Sequence, residues 1–178
     1  MKNISINIPL RDDILKNVLK AQKYLEEKIG VSFQKKNQSV PHINLLSGKI
    51  DHRNLDRLFD DIKKINFLLL ADRNKISSNG IGIFVFKNPV IYLRFLNNSF
   101  FNKIRIELRG KNYFKIIDKS TCSNLWLPKT TIAHKDTTLD NLYDTLILIN
   151  NLDFNQTFIV EKLGLTEYSA KNSEKKLF

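Results

Sequence analysis

Apolar and polar residues follow two different periods along the chain, and the elements they predict come in the same order twice. In the first half, strands are predicted where the two kinds of residue alternate or where a short run is wholly apolar: residues 5–8, 40–46, 67–71 and 81–86. Helical spacing marks residues 12–29 and 51–65. The second half repeats this order, with strands at residues 90–95, 126–134, 154–160 and 162–168 and helices at residues 98–108 and 139–149.

Each half ends in an extended pair, the first of which we expect to be a hairpin around residues 77–80. Each half also contains a strand led by proline: Pro41-His42-Ile43-Asn44-Leu45 and Pro128-Lys129-Thr130-Thr131-Ile132. A repeat of whole units predicts two α+β lobes related by a pseudo-two-fold axis, with the proline-led strands facing each other across a cleft. We expect one bilobal domain over residues 1–168, whose lobe-forming halves are about residues 1–88 and 89–168. A polar tail follows at residues 169–178.

The composition fits this single domain. The chain has 178 residues, of which 42% are hydrophobic, enough to bury a core. No apolar run approaches the roughly 18 residues of a membrane span, so we expect no membrane partner. The one cysteine, Cys122, excludes an intrachain disulfide and a cysteine-rich zinc site. A single cysteine suits a reducing compartment, and we expect a cytoplasmic protein.

The charge points to a class of ligand. Lysine and arginine number 29 against 18 aspartate and glutamate, which gives a formal net charge of +11. Such an excess indicates a polyanion or a phosphate-bearing ligand. Charge alone leaves open the alternative that the basic residues serve solubility.

The two proline-led strands carry the candidate chemistry. Side chains alternate along a strand, so His42 and Asn44 point one way, and Lys129 and Thr131 also share a face. An imidazole, an amide, an ammonium and a hydroxyl can all donate hydrogen bonds, and no carboxylate is among them. Such a set suits the oxygens of a phosphodiester.

These segments resemble the two-histidine (2H) phosphoesterase superfamily, which includes 2′-5′ RNA ligase-like proteins and cyclic nucleotide phosphodiesterases. That family carries a His-x-Thr/Ser motif in each lobe, typically within Pro-His-x-Thr-Leu. Residues 41–45 and 126–133 resemble the two motifs, residues 80–84 and 90–93 resemble the joining strands, and the resemblance covers about residues 3–168. It implies an α+β fold of two pseudo-symmetric lobes, each an antiparallel sheet with helices packed outside, enclosing a central cleft.

The chain departs from the family at two positions. Asn44 stands in place of the first Thr or Ser, and Lys129 stands in place of the second histidine, whereas Thr131 is retained. In the family one histidine is the general base and the other protonates the leaving oxygen. A histidine pKa is about 6.5 and a lysine pKa about 10.4, so Lys129 can hold a phosphate but is a poor proton-transfer group. The resemblance therefore implies a degenerate catalytic pair, His42 and Lys129, with Asn44 and Thr131 as phosphate-binding residues.

Further ligand-binding candidates come from the two loops before the motifs and from one strand: Phe33, Lys35, Lys36, Tyr113, Phe114, Trp126, Tyr92 and Arg94. Aromatic rings stack on bases and lysines hold phosphates. The alternative is that the aromatic residues anchor the core and the lysines are solvated. His134 lies on the opposite strand face from Lys129 and is not an obvious replacement for the missing histidine. We expect His52 to be a surface residue and Cys122 to have no role.

Three functions remain open at this point. The first is binding of a nucleotide or RNA phosphodiester, cyclic or 2′-5′-linked, with weakened or lost hydrolysis, which would suit sequestration of a nucleotide signal. The second is an active phosphodiesterase that opens 2′,3′-cyclic or 2′-5′ phosphodiesters with His42 and Lys129. The third is a general RNA-binding protein. No cofactor and no metal site is predicted, and the oligomeric state stays open, compatible with a monomer.

Overall fold

Two antiparallel sheets carry the fold. The computed structural model describes residues 1–36, 40–72, 74–117, 126–168 and 174–176. The strands are β1 Lys2–Pro9, β2 His42–Ile50, β3 Lys75–Phe84, β4 Val90–Phe95, β5 Phe114–Ile116, β6 Lys129–Ala133, β7 Thr157–Ile159, β8 Gly164–Tyr168 and β9 Glu174–Lys176. The first sheet has the order β5-β2-β1-β8-β9, and the second has the order β6-β4-β3-β7.

The helices connect and cover these sheets. They are α1 Asp12–Ile29, α2 Phe33–Lys36, α3 Leu55–Asp72, α4 Ser99–Arg109 and α5 Leu139–Asn150, with a 3₁₀ turn at His52–Asn54. Helix α1 packs against α5 and also contacts β6 and β7, whereas α4 contacts β2. None of the helices in the described ranges combines the length and apolar character needed to cross a membrane.

The predicted two-fold arrangement is present. β1 leads through α1 to its antiparallel partner β2, and β4 leads through α4 to its antiparallel partner β6. On the other side, β1 pairs with β8 and β4 pairs with β3. The halves 1–88 and 89–168 exchange strands, however, because β3 belongs to the second sheet while β5 and β8 belong to the first. Neither sheet is therefore built from one half alone.

The helix boundaries follow from ordinary sequence signals. α1 buries a stripe that includes Ile14, Val18 and Leu25, and it ends at Gly30. That glycine has φ 72°, a left-handed conformation that favours glycine, and its N–H bonds to the carbonyl oxygen of Glu26. α4 and α5 begin at the side-chain caps Asn98 and Thr138.

The prediction of a strand at residues 67–71 is wrong. These residues are the last turns of α3, which runs on to Asp72. Leu58, Ile62 and Ile65 are buried at helical spacing, whereas Phe67 is 75% exposed on the outer face. A short apolar run does not distinguish a strand from a helix, and here the helical period set by the preceding residues continues through it.

The predicted hairpin around residues 77–80 and the predicted closing pair are also wrong. Residues 75–84 form one strand, β3, whose pairing with β4 shifts register between Ser78 and Ile81, where Gly80 has φ 73°. The turn residues at 77–80 therefore mark a bulge rather than a chain reversal. At the other end, β7 pairs with β3 in the second sheet and β8 pairs with β1 in the first, so the expected closing pair divides between the lobes. Within the predicted tail, β9 pairs with β8, and residues 169–173, 177 and 178 lie outside the described residues.

Candidate functional site

The two proline-led strands meet where the two sheets touch. The hydroxyl of Thr130 on β6 donates a hydrogen bond of 2.7 Å to the carbonyl oxygen of His42 on β2. The indole N–H of Trp126, just before β6, donates to the carbonyl oxygen of Asn44 at 3.3 Å. These two bonds fix the position of one strand against the other, so the side chains that leave both strands on the open side face a common space.

That space is a pocket of about 210 Å³ with a mostly polar lining. Its lining residues come from α1, α2, β2, β6 and β8: Gln22, Gln34, Pro41, His42, Asn44, Lys129, Thr130, Thr131 and Tyr168. The structure thus brings together the four residues that strand alternation selects: His42, Asn44, Lys129 and Thr131. None of the lining residues in the described ranges is acidic, so the pocket offers donors and positive charge to an anion.

His42 is held in one ring orientation. Its Nδ1 lies 2.8 Å from the carbonyl oxygen of Val40. A carbonyl only accepts, so Nδ1 carries the proton and Nε2 is the nitrogen left for a ligand. Neutral His42 would accept a proton at Nε2, and protonated His42 would donate one there. This is the arrangement that an acid–base or phosphate-binding imidazole needs.

Lys129 lies beside a row of aromatic rings on the second sheet. Its Nζ is 5.8 Å from the centroid of the Phe84 ring, which packs on Tyr92 at 4.5 Å between ring centroids. The next ring, Phe86, is 6.1 Å from Phe84 and is 62% exposed. The apolar pattern of the sequence predicts a strand that contains Phe84 and Phe86, but it does not predict them as site residues. They give Lys129 an apolar neighbour and extend an aromatic surface outward from the pocket.

Arg94 lies directly opposite Lys129 in the pairing of β4 with β6. Opposite residues on neighbouring strands point to the same side of a sheet, so the two cations share a face. Arg94 is exposed, and its Nε donates to the carbonyl oxygen of Asn79 at 3.1 Å. Two cations on one face make the local potential positive, which favours an anion there.

A network of small polar side chains lies on the same face of the first sheet. The amide of Asn44 donates to the Ser47 hydroxyl at 2.9 Å and accepts from the Ser5 hydroxyl at 2.9 Å. Asn7 continues the network by donating to Thr166 at 3.0 Å. Asn44 is therefore held rigidly, with one amide N–H left over after the bond to Ser47. Ser5 and Asn7 are polar positions of the alternating strand β1. Their place in this network could not be predicted before β1 was known to pair with β2.

Three further lining residues were missed by sequence reasoning: Gln22, Gln34 and Tyr168. Gln22 could have been noticed, because it interrupts the apolar stripe of α1 at a position four residues after the buried Val18. Gln34 is on the short helix α2 and Tyr168 is at the end of β8, and neither position carries a signal before the topology is known.

Two of the four aromatic candidates from the loops are core residues instead. Trp126 is only 7% exposed, with its ring 5.4 Å from Phe101 and the guanidinium of Arg105 at 4.2 Å. Phe114 is buried in β5 against Gly48. These two side chains follow the core-anchor alternative.

Tyr113 and Tyr92 also lie outside the pocket lining. The Tyr113 hydroxyl donates to the carboxylate of Asp61, and burial together with this bond raises its pKa above the usual range. Tyr92 is buried on Phe84. Lys36 is exposed on α2 and does not line the pocket, while the side chain of Lys35 and the whole of Cys122 lie outside the described residues.

Phe33 and His134 form a contact that holds α2 against the second lobe. Their rings meet edge to face at 6.2 Å, and the Nζ of Lys135 lies 4.3 Å from the Phe33 ring centroid. The carboxylate of Asp136 accepts from the main-chain N–H groups of Ser32 at 2.6 Å and Phe33 at 2.7 Å. The segment that follows β6 therefore holds helix α2, which carries Gln34, in place.

His134 is partly buried, and its surroundings shift its pKa. Burial lowers its pKa, the charges of Lys135 and Lys129 lower it further, and Asp136 acts in the opposite direction. His134 does not line the pocket. His52, in the 3₁₀ turn, is exposed as predicted. The described residues contain no group of three His, Cys, Asp or Glu side chains that could hold a metal ion.

The architecture matches a solved structure along nearly its whole length. The crystal structure of TT0787 of Thermus thermophilus aligns with a TM-score of 0.54 and 16% sequence identity, covering 99% of this chain and 95% of that one. No protein-family model and no curated protein sequence matches the chain. At this level of identity the similarity shows that the two chains share an overall fold.

Proposed function

We propose that this protein binds a phosphodiester of a nucleotide or RNA in the pocket between β2 and β6, and that its hydrolytic activity is weakened or lost. The observation that carries the proposal is the presence of His42 and Lys129 in one polar pocket whose described lining has no carboxylate. Non-bridging phosphate oxygens accept hydrogen bonds, and the imidazole, ammonium and Thr131 hydroxyl can all supply them. The resemblance of the two proline-led strands to the 2H motifs supports the same class of ligand.

The weakened chemistry follows from the nature of the second proton-transfer group. Hydrolysis needs one group that removes a proton from the attacking oxygen and another that gives a proton to the leaving oxygen. A lysine ammonium donates hydrogen bonds and stabilises charge, but it holds its proton more tightly than an imidazolium does. Loss of one such partner slows general acid–base catalysis by on the order of 10²- to 10⁴-fold. Binding, in contrast, needs only the positive charge and the donors.

The orientation of His42 favours a second candidate, an active phosphodiesterase. With Nδ1 bonded to the Val40 carbonyl, Nε2 could take a proton from water as its oxygen bonds to phosphorus. The bond from phosphorus to the leaving oxygen would then break, and Lys129 would supply the proton to that oxygen. The product would be a 2′- or 3′-phosphate from a cyclic or 2′-5′ diester.

Binding and turnover should be measured on the full chain with 2′,3′-cyclic AMP, a cyclic dinucleotide and a 2′-5′-linked dinucleotide. We expect Lys129→Met to weaken the affinity for the preferred probe about 10- to 100-fold, because it removes a charge-assisted hydrogen bond. Lys103→Met is the matched control, since Lys103 is an exposed lysine of α4 outside the pocket, and it should leave the affinity nearly unchanged.

Two further variants separate the candidates. Turnover by the wild type that disappears in His42→Ala would establish the phosphodiesterase and exclude the pure binder. Turnover that arises only in Lys129→His would support a degraded catalytic pair. Equal affinities for Lys129→Met and Lys103→Met, together with a steep dependence on salt, would overturn the pocket proposal in favour of general RNA binding through the basic surface.

A further inference from the structure

A buried amide faces the pocket from α1. Gln22 is only 4% exposed, yet it is one of the residues that line the pocket. Its neighbours on the same helical stripe, Val18 and Leu25, are apolar and fully buried. Within the described part of the chain, the Gln22 side chain makes no hydrogen bond. Its amide atoms are not among the polar atoms that are buried without a partner, so the amide reaches the pocket, where a group that enters the pocket can bond to it.

The chemistry of an amide differs from that of the other groups around the pocket. His42, Lys129 and Thr131 can each donate a hydrogen bond to a phosphate oxygen, which only accepts. The amide of Gln22 has an acceptor oxygen as well as donor N–H groups. A hydroxyl, which also donates and accepts, satisfies the amide oxygen in a way that no phosphate oxygen can. The ligand group next to the phosphate should therefore be a hydroxyl.

The size of the pocket limits what accompanies the phosphate. A volume of about 210 Å³ corresponds to roughly seven water molecules. This accommodates a phosphate and a sugar ring, whereas pockets that enclose larger ligands span about 300–1,000 Å³. The mostly polar lining also suits a hydroxylated sugar better than a base. We therefore expect the base to lie outside the enclosed part of the pocket.

We propose that Gln22 recognises the ribose hydroxyl next to the bound phosphodiester, so that the pocket selects linear ribonucleotide diesters over deoxyribonucleotide and 2′,3′-cyclic ones. In a linear diester of ribose, either the 2′- or the 3′-hydroxyl remains free beside the esterified oxygen. In a 2′,3′-cyclic phosphate both oxygens are esterified, and in deoxyribose the hydroxyl is missing. The inference rests on the proposed function, because it assumes that the phosphate binds between His42 and Lys129.

The test uses two probes that differ by one hydroxyl. They are 2′-5′-linked diadenosine monophosphate and its analogue that lacks the 3′-hydroxyl beside the linkage, with each affinity measured by calorimetry at fixed salt. We expect the wild type to prefer the hydroxylated probe about 5- to 30-fold, the range of one hydrogen bond to a buried partner. Gln22→Met should bring the two affinities to within about twofold by weakening only the hydroxylated probe. Gln156→Met, a change of the same kind at a residue outside the pocket, should keep the preference.

A melting experiment guards against a purely structural effect. Since the Gln22 amide bonds to no described residue, Gln22→Met should keep or raise the Tm. A lower Tm together with equal losses of both probes would show that Gln22 supports the fold, and would overturn the inference. An equal affinity of the wild type for the two probes, or a preference that persists in Gln22→Met, would overturn it while leaving the proposed function in place. If the wild type binds neither the two probes nor the cyclic ligands, both the inference and the proposed function are overturned.

Discussion

The hydroxyl of Thr130 donates a 2.7 Å hydrogen bond to the main-chain carbonyl oxygen of His42. This bond joins the two proline-led strands at the residue that follows Lys129 on one strand and at the candidate imidazole residue on the other. It holds the two lobes together within the site itself. Because neighbouring residues on a strand point to opposite faces, burying Thr130 against β2 leaves Lys129 and Thr131 on the pocket side.

Thr130→Val should lower the free energy of unfolding by about 1–2 kcal/mol, because the carbonyl oxygen of His42 then loses this hydrogen bond while the shape of the Thr130 side chain is kept. Thr131→Val is the matched control. Thr131 is half-buried, and its hydroxyl bonds to no described residue, so we expect a change within about 0.5 kcal/mol. Urea unfolding measures both, and equal losses for the two variants would contradict the special role of Thr130.

Asp136→Ala should release helix α2. The Asp136 carboxylate accepts from the N–H groups of Ser32 and Phe33, and loss of these charge-assisted bonds should destabilise the protein by about 2 kcal/mol. Amide hydrogen exchange at Ser32 and Phe33 should become faster than at the rest of the chain. Asp144→Ala removes an exposed carboxylate from α5 and should change neither quantity appreciably. Unchanged exchange in Asp136→Ala would show that the ring contacts alone hold α2.

His134 should make stability fall in mild acid. Its pKa in the folded protein lies below the value of about 6.5 expected in the unfolded chain, so the unfolded state binds more protons. The contribution of neutral His134 is complete above about pH 6.5 and is lost as the pH falls through the window between the two pKa values. Urea unfolding from about pH 8 to about pH 5 should show a smaller decline for His134→Gln than for the wild type. His52→Gln, at an exposed site, should follow the wild type, and identical profiles for all three proteins would contradict the prediction.

Gly82→Ala should disturb the aromatic row beside Lys129. A Cβ at position 82 would clash with the ring of Tyr92, which is buried and packed on Phe84. Overpacking of this kind costs about 1–3 kcal/mol. Gly110→Ala offers a control, because a Cβ there meets its nearest atom at 3.5 Å and the backbone is in the right-handed helical region. It should leave stability unchanged or raise it by up to about 1 kcal/mol, and a tolerated Gly82→Ala would mean that the Tyr92 ring can move.

Local patterns predict which side chains share a face better than they predict how the strands pair. Alternation along a strand depends only on backbone geometry, so the facing of His42 and Lys129 follows from the sequence once both segments are strands. The strand pairs are different, because they depend on which edges meet in the folded chain. The separation of β7 from β8 into two sheets has no signature within residues 154–168.

Composition also fails to separate a core aromatic from a ligand-binding one. Trp126 and Phe86 are both large apolar side chains in a basic protein, yet one is buried and the other is mostly exposed. Trp126 is buried because α4 packs on its ring through Phe101 and Arg105. Phe86 is exposed because it lies just beyond the end of β3. Gln22 is a different case. The sequence shows a polar residue inside an apolar helical stripe, but only the structure shows that a pocket lies beside it.

The exchange of strands between the two halves has a consequence for synthesis. β1, made at the start of the chain, lies between β2 and β8, and it pairs with Tyr168 through Asn3. Until residues 164–168 have been made, one edge of β1 therefore has no partner strand. A strand with an open edge is a template for pairing with another chain, and contacts of such long range form slowly. The nascent protein is thus exposed to aggregation through β1 until residues 164–168 have been made, and this is the interval in which a chaperone would help that strand.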